Sequence, residues 1–276
     1  MEQSLGLLFV VFAVTIIIHA IETLHYAVSF VGIRTGRLAT AGALFGMVLL
    51  LSRTANMVQG VLLGSFADAT VRGDLPIETF EWRVRLVVLA ATTGSLIGAA
   101  LLPTFIRYLQ KGIEIFVRHG SLVGMAGALI RRGGFSKDDF SRAARGVAPP
   151  TAILIKEHSF RMVPWWFYAV DVLVTSIFTC GVLASLYAGV LEPGRQGSAG
   201  QMSGVINGIA TVLLFFFITP RVATYIDNAL RDSSELSQIR SIVIALVFCK
   251  ICGTLVAQLI LHPAAFVIAG LIRLLP

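Results

Sequence analysis

Residues 38–66, LATAGALFGMVLLLSRTANMVQGVLLGSF, decide the fold class of this chain. The segment is apolar and exceeds the roughly 20 residues that an α-helix needs to cross a bilayer. Arg53, Asn56 and Gln59 nevertheless lie inside it. A charge at the centre of a bilayer costs at least about 2.5–3.5 kcal/mol, so such a residue usually has a function or a partner. The segment therefore predicts a transmembrane helix that carries a polar site.

The rest of the chain has the same apolar character. Of its 276 residues, 56% are hydrophobic and 13% are charged, whereas about a quarter of the residues in a soluble domain are charged. Apolar runs near 5–33, 38–66, 84–106, 165–190, 203–223 and 241–262 each predict a membrane span. A shorter run, 263–275, follows Pro263 and is predicted to form an interfacial or re-entrant tail. Residues 1–276 are thus predicted to form one all-α integral membrane domain, a bundle of about six transmembrane helices.

The distribution of basic residues predicts the orientation of this bundle. The net charge is +7, and most Lys and Arg residues fall in the first, third and fifth connections between the spans. The positive-inside rule places those connections in the cytoplasm and both termini outside the cell. The long third connection, 107–164, is predicted to contain two or three short helices on the membrane surface. Its basic residues face lipid headgroups in this interpretation, so nucleic acid is not predicted as a partner.

No cofactor or metal site is predicted. The chain has three cysteines, and Cys249 and Cys252 form a Cys-x-x-Cys pair inside an apolar run. Without a second ligand pair, this spacing favours small buried thiols over a metal or redox centre.

Glycines separated by four residues predict close helix packing in several spans. The pairs are Gly42/Gly46, Gly60/Gly64, Gly94/Gly98 and Gly204/Gly208. At about 100° per residue, the glycines of the second span fall on one stripe with Arg53 and Asn56. We therefore expect another helix to cover that stripe, with Arg53 pointing into the bundle.

The first span offers partners for this charge, because it carries His19, Glu22 and His25. At a rise of about 1.5 Å per residue, Glu22 and Lys250 each lie roughly 13 Å from the predicted cytoplasmic ends of their helices, and Arg53 roughly 21 Å. A contact of Glu22 with Lys250 or with Arg53 is within reach, and Asp171 is a further candidate. A cavity with an excess of cations suits a ligand that carries phosphate. The alternative is that these charges only pair with one another structurally.

The chain resembles the Amj family ("alternate to MurJ"), a family of bacterial lipid II flippases. The resemblance is carried by two stretches of the first quarter of the chain. The first stretch contains His19-Ala-Ile-Glu22-Thr23-Leu24-His25-Tyr26 and Gly32-Ile-Arg34-Thr35-Gly36-Arg37. The second stretch contains Leu44-Phe45, Ser52-Arg53-Thr54-Ala55-Asn56-Met57-Val58-Gln59 and Leu63-Gly64.

This resemblance implies a multi-pass protein of the bacterial cell membrane that is not an enzyme. Its substrate would be lipid II, an undecaprenyl-pyrophosphate-linked disaccharide-pentapeptide, moved from the inner to the outer leaflet. Arg34 and Arg37 are then expected to bind the pyrophosphate first and Arg53 to hold it deeper, because arginine suits phosphate. Asn56 and Gln59 would contact sugar or peptide. The charge partners in the cavity would be Glu22, His19 and Lys250.

Two other functional classes stay open on sequence grounds. A membrane enzyme acting on polyprenyl phosphates would need acidic residues for a metal ion, and the only adjacent acidic pair in the long connection is Asp138-Asp139. Metal-dependent product formation would identify that class. A small-solute or ion-coupled transporter would also use intramembrane Glu, His and Lys residues. Uptake that is indifferent to lipid-linked substrate would identify it.

Overall fold

In a computed structural model of the protein, the chain folds into long helices. The structure describes residues 2–131, 162–232 and 235–275. Within those ranges the helices are α1 (Glu2–His25), α2 (Val28–Arg34), α3 (Leu38–Val71), α4 (Ile77–His119), α5 (Leu122–Arg131), α6 (Trp165–Leu191), α7 (Gln196–Leu213), α8 (Thr219–Arg231) and α9 (Leu236–Arg273). A π-helical turn, Leu214–Ile218, joins α7 to α8.

The predicted all-α membrane fold is confirmed. The described residues contain six segments long and apolar enough to span a membrane, Leu5–Arg34, Leu38–Val71, Ile77–His119, Trp165–Leu191, Gln196–Arg231 and Leu236–Arg273. Their short connections alternate between two ends of the bundle. We call the end that carries Arg34 and Arg37 the basic end, and the other the opposite end. The start of α1 and the end of α9 lie at the opposite end, where Arg195 donates hydrogen bonds of 2.8 Å to the carbonyls of Ile272 and Leu275.

Two of the spans are irregular at specific points. The first span breaks at Tyr26 and Ala27, one residue after His25, and resumes as α2. The backbone there forms turn hydrogen bonds, Tyr26 N–H to the Thr23 carbonyl and Ala27 N–H to the Leu24 carbonyl. The fifth span is longer than the predicted 203–223 and contains the π-helical turn. Breaks of this kind in membrane helices commonly mark functional positions.

Helix α1 packs closely along α4 because two glycines of α4 allow it. A Cβ atom at Gly98 would lie 2.7 Å from the Ala20 carbonyl oxygen, and one at Gly94 would overlap the Ile16 carbonyl. The Gly94/Gly98 pair therefore acts as the predicted packing motif. Helix α9 makes its most extensive contacts with α6, where Thr175 fills the space beside Gly253.

The bundle has two hydrophobic cores with a polar layer between them. One core, at the opposite end, includes Val11, Leu63 and Val88. The other, at the basic end, includes Phe45, Leu102 and Phe167. Most of the buried polar residues lie between these positions in sequence, and hence between the two cores: Thr15, Thr23, Ser52, Gln59, Thr92, Ser95, Asp171, Thr175, Ser176, Lys250 and Thr254. We call this set the polar layer.

The prediction of a separate tail after Pro263 is wrong. Helix α9 continues through Pro263 to Arg273. Proline removes one backbone hydrogen bond, which membrane helices tolerate when neighbouring helices pack around the site. Here Ala265, Ile268 and Ile272 are buried in the core at the opposite end, so packing holds the helix together beyond the proline.

The third span is also longer than predicted, at both ends. Helix α4 begins at Ile77 and ends at His119, so residues 107–119 belong to the helix and not to a surface connection. Its first turns contain charged residues that the hydropathy pattern assigns to a loop. One of them, Arg83, is buried and lies over the Phe66 ring at 4.7 Å. Helix α5 is one short helix of the predicted connection, and residues 132–161 of that connection lie outside the described part of the chain.

A Gly94→Ala substitution should destabilise the protein, because the added Cβ meets the α1 backbone and not a flexible side chain. Overpacking of this kind costs about 1–3 kcal/mol. Thermal unfolding of the purified protein in detergent measures the effect. Gly64→Ala is the matched control, because a Cβ atom there has no neighbour within 4 Å. Equal melting temperatures for the two variants would contradict the proposed α1–α4 packing.

Candidate functional site

An ion pair between α1 and α9 lies at the centre of the candidate site. Lys250 Nζ donates a hydrogen bond of 2.7 Å to Glu22 Oε2. Side-chain exposure is 9% for Lys250 and 34% for Glu22. Of the two contacts that the sequence places within reach of Glu22, the one with Lys250 is therefore present as an ion pair. Lys250 is enclosed by the protein, whereas the Glu22 carboxylate is still accessible from one side.

Two more residues act on the Glu22 carboxylate. His19, one turn earlier on α1, places Nδ1 3.8 Å from Glu22 Oε2. Arg53 of α3 is close enough to interact electrostatically with both Glu22 and His25. The His25 ring stacks on Phe45 of α3 with centroids 5.5 Å apart. Helices α1 and α3 thus bring Glu22, His25 and Arg53 to one face.

Arg53 does not point into the bundle, contrary to the sequence-based expectation. Arg53 and Asn56 are exposed, and Cβ atoms at Gly42, Gly46, Gly60 and Gly64 would meet nothing within 4 Å. The glycine stripe is therefore not covered by another helix among the described residues. A helical wheel groups residues on one side of a helix, but it does not show whether that side meets protein or an open surface. We call Glu22, His25, Arg53 and Asn56 the polar face.

Gln59 does not belong to the polar face. It is 6% exposed, and its side-chain Nε2 donates a hydrogen bond of 2.6 Å to the Thr15 hydroxyl of α1. Thr15 in turn donates to the Val11 carbonyl at 2.6 Å. The amide predicted to contact sugar or peptide instead ties α3 to α1 within the polar layer.

Arg34 and Arg37 are held by a compact turn between α2 and α3. The Arg37 N–H donates to the Gly32 carbonyl at 2.8 Å, and the Thr35 hydroxyl donates to the Val31 carbonyl at 2.8 Å. Gly36 adopts φ 65°, a conformation that favours glycine. Gly32 allows the Leu38 backbone to approach within 2.7 Å of the position of a Cβ atom. The turn therefore presents two exposed guanidinium-bearing side chains at the basic end of α3.

Asp171 is the acidic residue of the polar layer. It is 2% exposed and lies on α6, close to the Cys249 thiol of α9, which donates a hydrogen bond of 3.8 Å to the Tyr168 carbonyl. Cys249 is a free, buried thiol, as the sequence predicts. The contact itself was not foreseen, because helices α6 and α9 are distant in sequence.

A separate cavity of about 300 Å³ lies at the basic end, between α8 and the starts of α6 and α9. It is lined by Met162, Arg221, Thr224, Tyr225, Asn228 and Gln238. The Tyr225 hydroxyl donates a hydrogen bond of 2.6 Å to the Met162 carbonyl and so joins α8 to the chain before α6. This cavity contains neither Arg34, Arg53 nor Glu22, so it is distinct from the polar face.

The chemistry of the polar face suits an anionic, hydrated group. Arg53 lies near the midpoint of α3, about 24 Å along the helix from Arg37. An arginine at such depth must meet water, an anion or protein, since contact with lipid tails is costly. Around it, the side chains of Leu50, Leu51, Met57, Val58 and Val61 are exposed and apolar. The polar face is thus bordered by a surface that fits lipid chains. Within the described ranges, no group of three or more His, Cys, Asp or Glu residues could hold a metal ion.

Removal of Lys250 should destabilise the protein more when Glu22 is present than when it is absent. Lys250→Met leaves a carboxylate without its main partner, and Glu22→Gln in the same chain relieves that cost. We expect a coupling energy of about 0.5–3 kcal/mol in a double-mutant cycle. Because Glu22 is one-third exposed, the lower half of that range applies. Thermal unfolding in detergent of the wild type, the two single variants and the double variant measures this coupling energy. If the effects of the two single substitutions on stability are additive, the ion pair contributes nothing to the stability of the fold.

Comparison with known proteins identifies the family of the chain. The family described as Alternate to MurJ (Amj) matches residues 14–272, a range that contains the polar face, the turn of Arg34 and Arg37, and Lys250. A relative named lipid II flippase Amj, from Bacillus subtilis (strain 168), is 34% identical over 265 residues, covering 95% of this chain and 96% of the relative. No solved structure matches the chain significantly. The chain belongs to the Amj family.

Proposed function

We propose that this multi-pass membrane protein is a flippase that moves lipid II, the undecaprenyl-pyrophosphate-linked disaccharide-pentapeptide, from the inner to the outer leaflet for cell-wall synthesis. The name of the relative from Bacillus subtilis supports the substrate. The observation that carries the mechanism is the exposed Arg53, which lies near the middle of a transmembrane helix beside an accessible Glu22. The function is transport, and no chemical step is required of the protein.

In this proposal the pyrophosphate passes from the two arginines of the turn between α2 and α3 to Arg53 of α3. Arg34 and Arg37 make the first contact at the basic end, because their turn is fixed by backbone hydrogen bonds and their side chains are exposed. Arg53 then holds the pyrophosphate at mid-membrane, since its guanidinium provides a fork of donors and keeps its charge. Asn56, one turn further, contacts the sugar or peptide. The prenyl chain stays in lipid along the apolar side chains that flank Arg53.

Glu22 provides the counter-charge when no substrate is bound. It pairs with Lys250 and also interacts electrostatically with Arg53, so it partly neutralises both cations in the empty protein. An incoming pyrophosphate competes with Glu22 for Arg53. The two arrangements of charge define two states whose populations the substrate can shift.

The orientation in the bacterial cell membrane follows from charge. The basic end carries Arg34, Arg37, Lys111 and Arg118, and the positive-inside rule assigns it to the cytoplasm. Both termini then lie outside the cell. Asp138-Asp139, the acidic pair that an enzyme of polyprenyl phosphates would need, lies outside the described part of the chain.

An Arg53→Ala substitution should reduce lipid II transport about 10- to 100-fold, the loss expected for one charge-assisted contact of about 1.5–3 kcal/mol. The measurement is growth, and exposure of lipid II at the cell surface, in cells that rely on this protein alone. Arg53→Lys should keep part of the activity, because it retains the charge but loses the fork. Arg72→Ala, at an exposed arginine of the opposite end, is the matched control. Normal lipid II exposure with Arg53→Ala at normal protein levels would refute the assignment.

Asn56→Ala and Gln59→Ala should separate substrate binding from packing. Asn56 is exposed and should lose transport at unchanged stability. Gln59 makes a buried hydrogen bond with Thr15, so its replacement should cost about 1 kcal/mol of stability. Transport assays and thermal unfolding of both variants are the measurements. A transport loss with Gln59→Ala at unchanged stability would return Gln59 to the substrate site.

A further inference from the structure

The buried carboxyl group of Asp171 has no role in the path described above. It lies about one and a half turns into α6, inside the polar layer, and is 2% exposed. Its Oδ2 atom is buried without a hydrogen-bond partner among the described residues. The Cys249 thiol contacts the carboxyl group, but a thiol is a weak donor and does not neutralise a charge.

The groups that face Asp171 come from two neighbouring segments. Helix α9 contributes Lys250 and Cys249. The break in the first span contributes Tyr26, which lies close to both Asp171 and Glu22. Within the described residues, Lys250 is therefore the only cation that acts on Asp171, because Arg53 acts on Glu22 and His25 instead.

Lys250 can neutralise only one of the two carboxylates fully. Its ammonium group is bound to Glu22 at 2.7 Å. Among the described residues, Asp171 therefore has no partner of opposite charge at bonding distance. An ionised carboxylate that is buried without such a partner costs several kcal/mol. The carboxyl group avoids this cost when it binds a proton.

We propose that Asp171 is a proton-binding site, and that Lys250 exchanges between Glu22 and Asp171 during transport. In the arrangement seen here, Asp171 holds the proton and Lys250 pairs with Glu22. When Lys250 moves to Asp171, the Asp171 O–H bond breaks, its electron pair stays on the carboxylate, and the proton passes to water. Glu22 then keeps its charge beside Arg53. The net change is one proton released from the polar layer for each transfer of Lys250.

The exchange couples this proton to lipid movement, and that part rests on the proposed flippase function. A pyrophosphate bound to Arg53 occupies the second cation that acts on Glu22, and so favours the pairing of Glu22 with Lys250. Transfer of Lys250 to Asp171 is therefore favoured when Arg53 carries no substrate. A proton gradient can bias the cycle through Asp171, which is too deeply buried to contact the headgroup itself.

Infrared spectra of the purified protein in lipid vesicles test the proton site without any substrate. The spectrum of each variant is compared with that of the wild type. The wild-type protein should show the carbonyl stretch of a protonated carboxyl group at neutral pH, and Asp171→Asn should lose it. Glu22→Gln should also lose it, because Lys250 is then free to pair with Asp171. Glu22→Gln with Lys250→Met should regain it. Glu114→Gln, at an exposed position of α4, is the control that should leave the band unchanged.

Two results would overturn the assignment. One is the absence of the band from the wild-type protein, and the other is a band that Asp171→Asn or Glu22→Gln leaves intact. Asparagine has nearly the shape of a protonated aspartic acid, so Asp171→Asn should fold. Its melting temperature in detergent checks this, and Glu22→Gln provides the second, independent variant.

Transport in the same vesicles separates this inference from the proposed function. An imposed proton gradient should change the rate of lipid II movement by the wild-type protein, and Asp171→Asn should lose that dependence. Movement of lipid II that ignores the gradient would overturn the coupling and leave the flippase function intact. A titrating Asp171 in a protein that moves no lipid II would overturn the flippase function and leave the proton site intact.

Discussion

The pairing of Glu22 with Lys250 is the constraint on which the rest of the structure depends. Both residues lie well inside membrane-spanning helices, and neither is tolerable there alone. Their contact fixes the relative depth of α1 and α9, although these helices have little direct backbone contact. The two charges also require polar residues around them. Small and hydroxyl-bearing residues form a polar layer at the same level, and the two hydrophobic cores lie on either side of it.

Helix α3 shows how one segment serves both the fold and the site. One side is buried through Phe45, Ser52, Gln59 and Leu63, and the hydrogen bond from Gln59 to Thr15 secures it to α1. The other side carries Arg53 and Asn56 and is exposed. The glycines near Arg53 add no side chains to this open side. A bulky group can therefore approach the arginine without displacing another helix of the described chain.

The sequence predicts the membrane spans and the depth of their charges well, because both follow from hydropathy and helical rise. Depth along the helices limits the partners of Glu22 to Lys250 or Arg53, and the structure shows the ion pair with Lys250. The sequence does not predict which side of α3 contacts other helices. Gly42 and Gly60 would allow a helix to pack closely, but they do not show that one does. Pro263 misleads for a related reason. Its effect on a helix depends on packing by Ile268 and Ile272, which only the three-dimensional structure shows.

The lysine at position 250 and the arginine at position 53 have different chemical properties, and these properties suit different roles. Lysine has a compact ammonium group on a flexible stem, so Lys250 can reach carboxylates on two helices in turn. Arginine keeps its charge and binds phosphate through two parallel hydrogen bonds, so Arg53 suits a pyrophosphate on an open surface. In Lys250→Arg the cation would move poorly between Glu22 and Asp171. In Arg53→Lys a point charge would replace the planar guanidinium that binds pyrophosphate. The buried lysine and the exposed arginine therefore act on the same carboxylate, since Lys250 binds Glu22 and Arg53 interacts with it electrostatically.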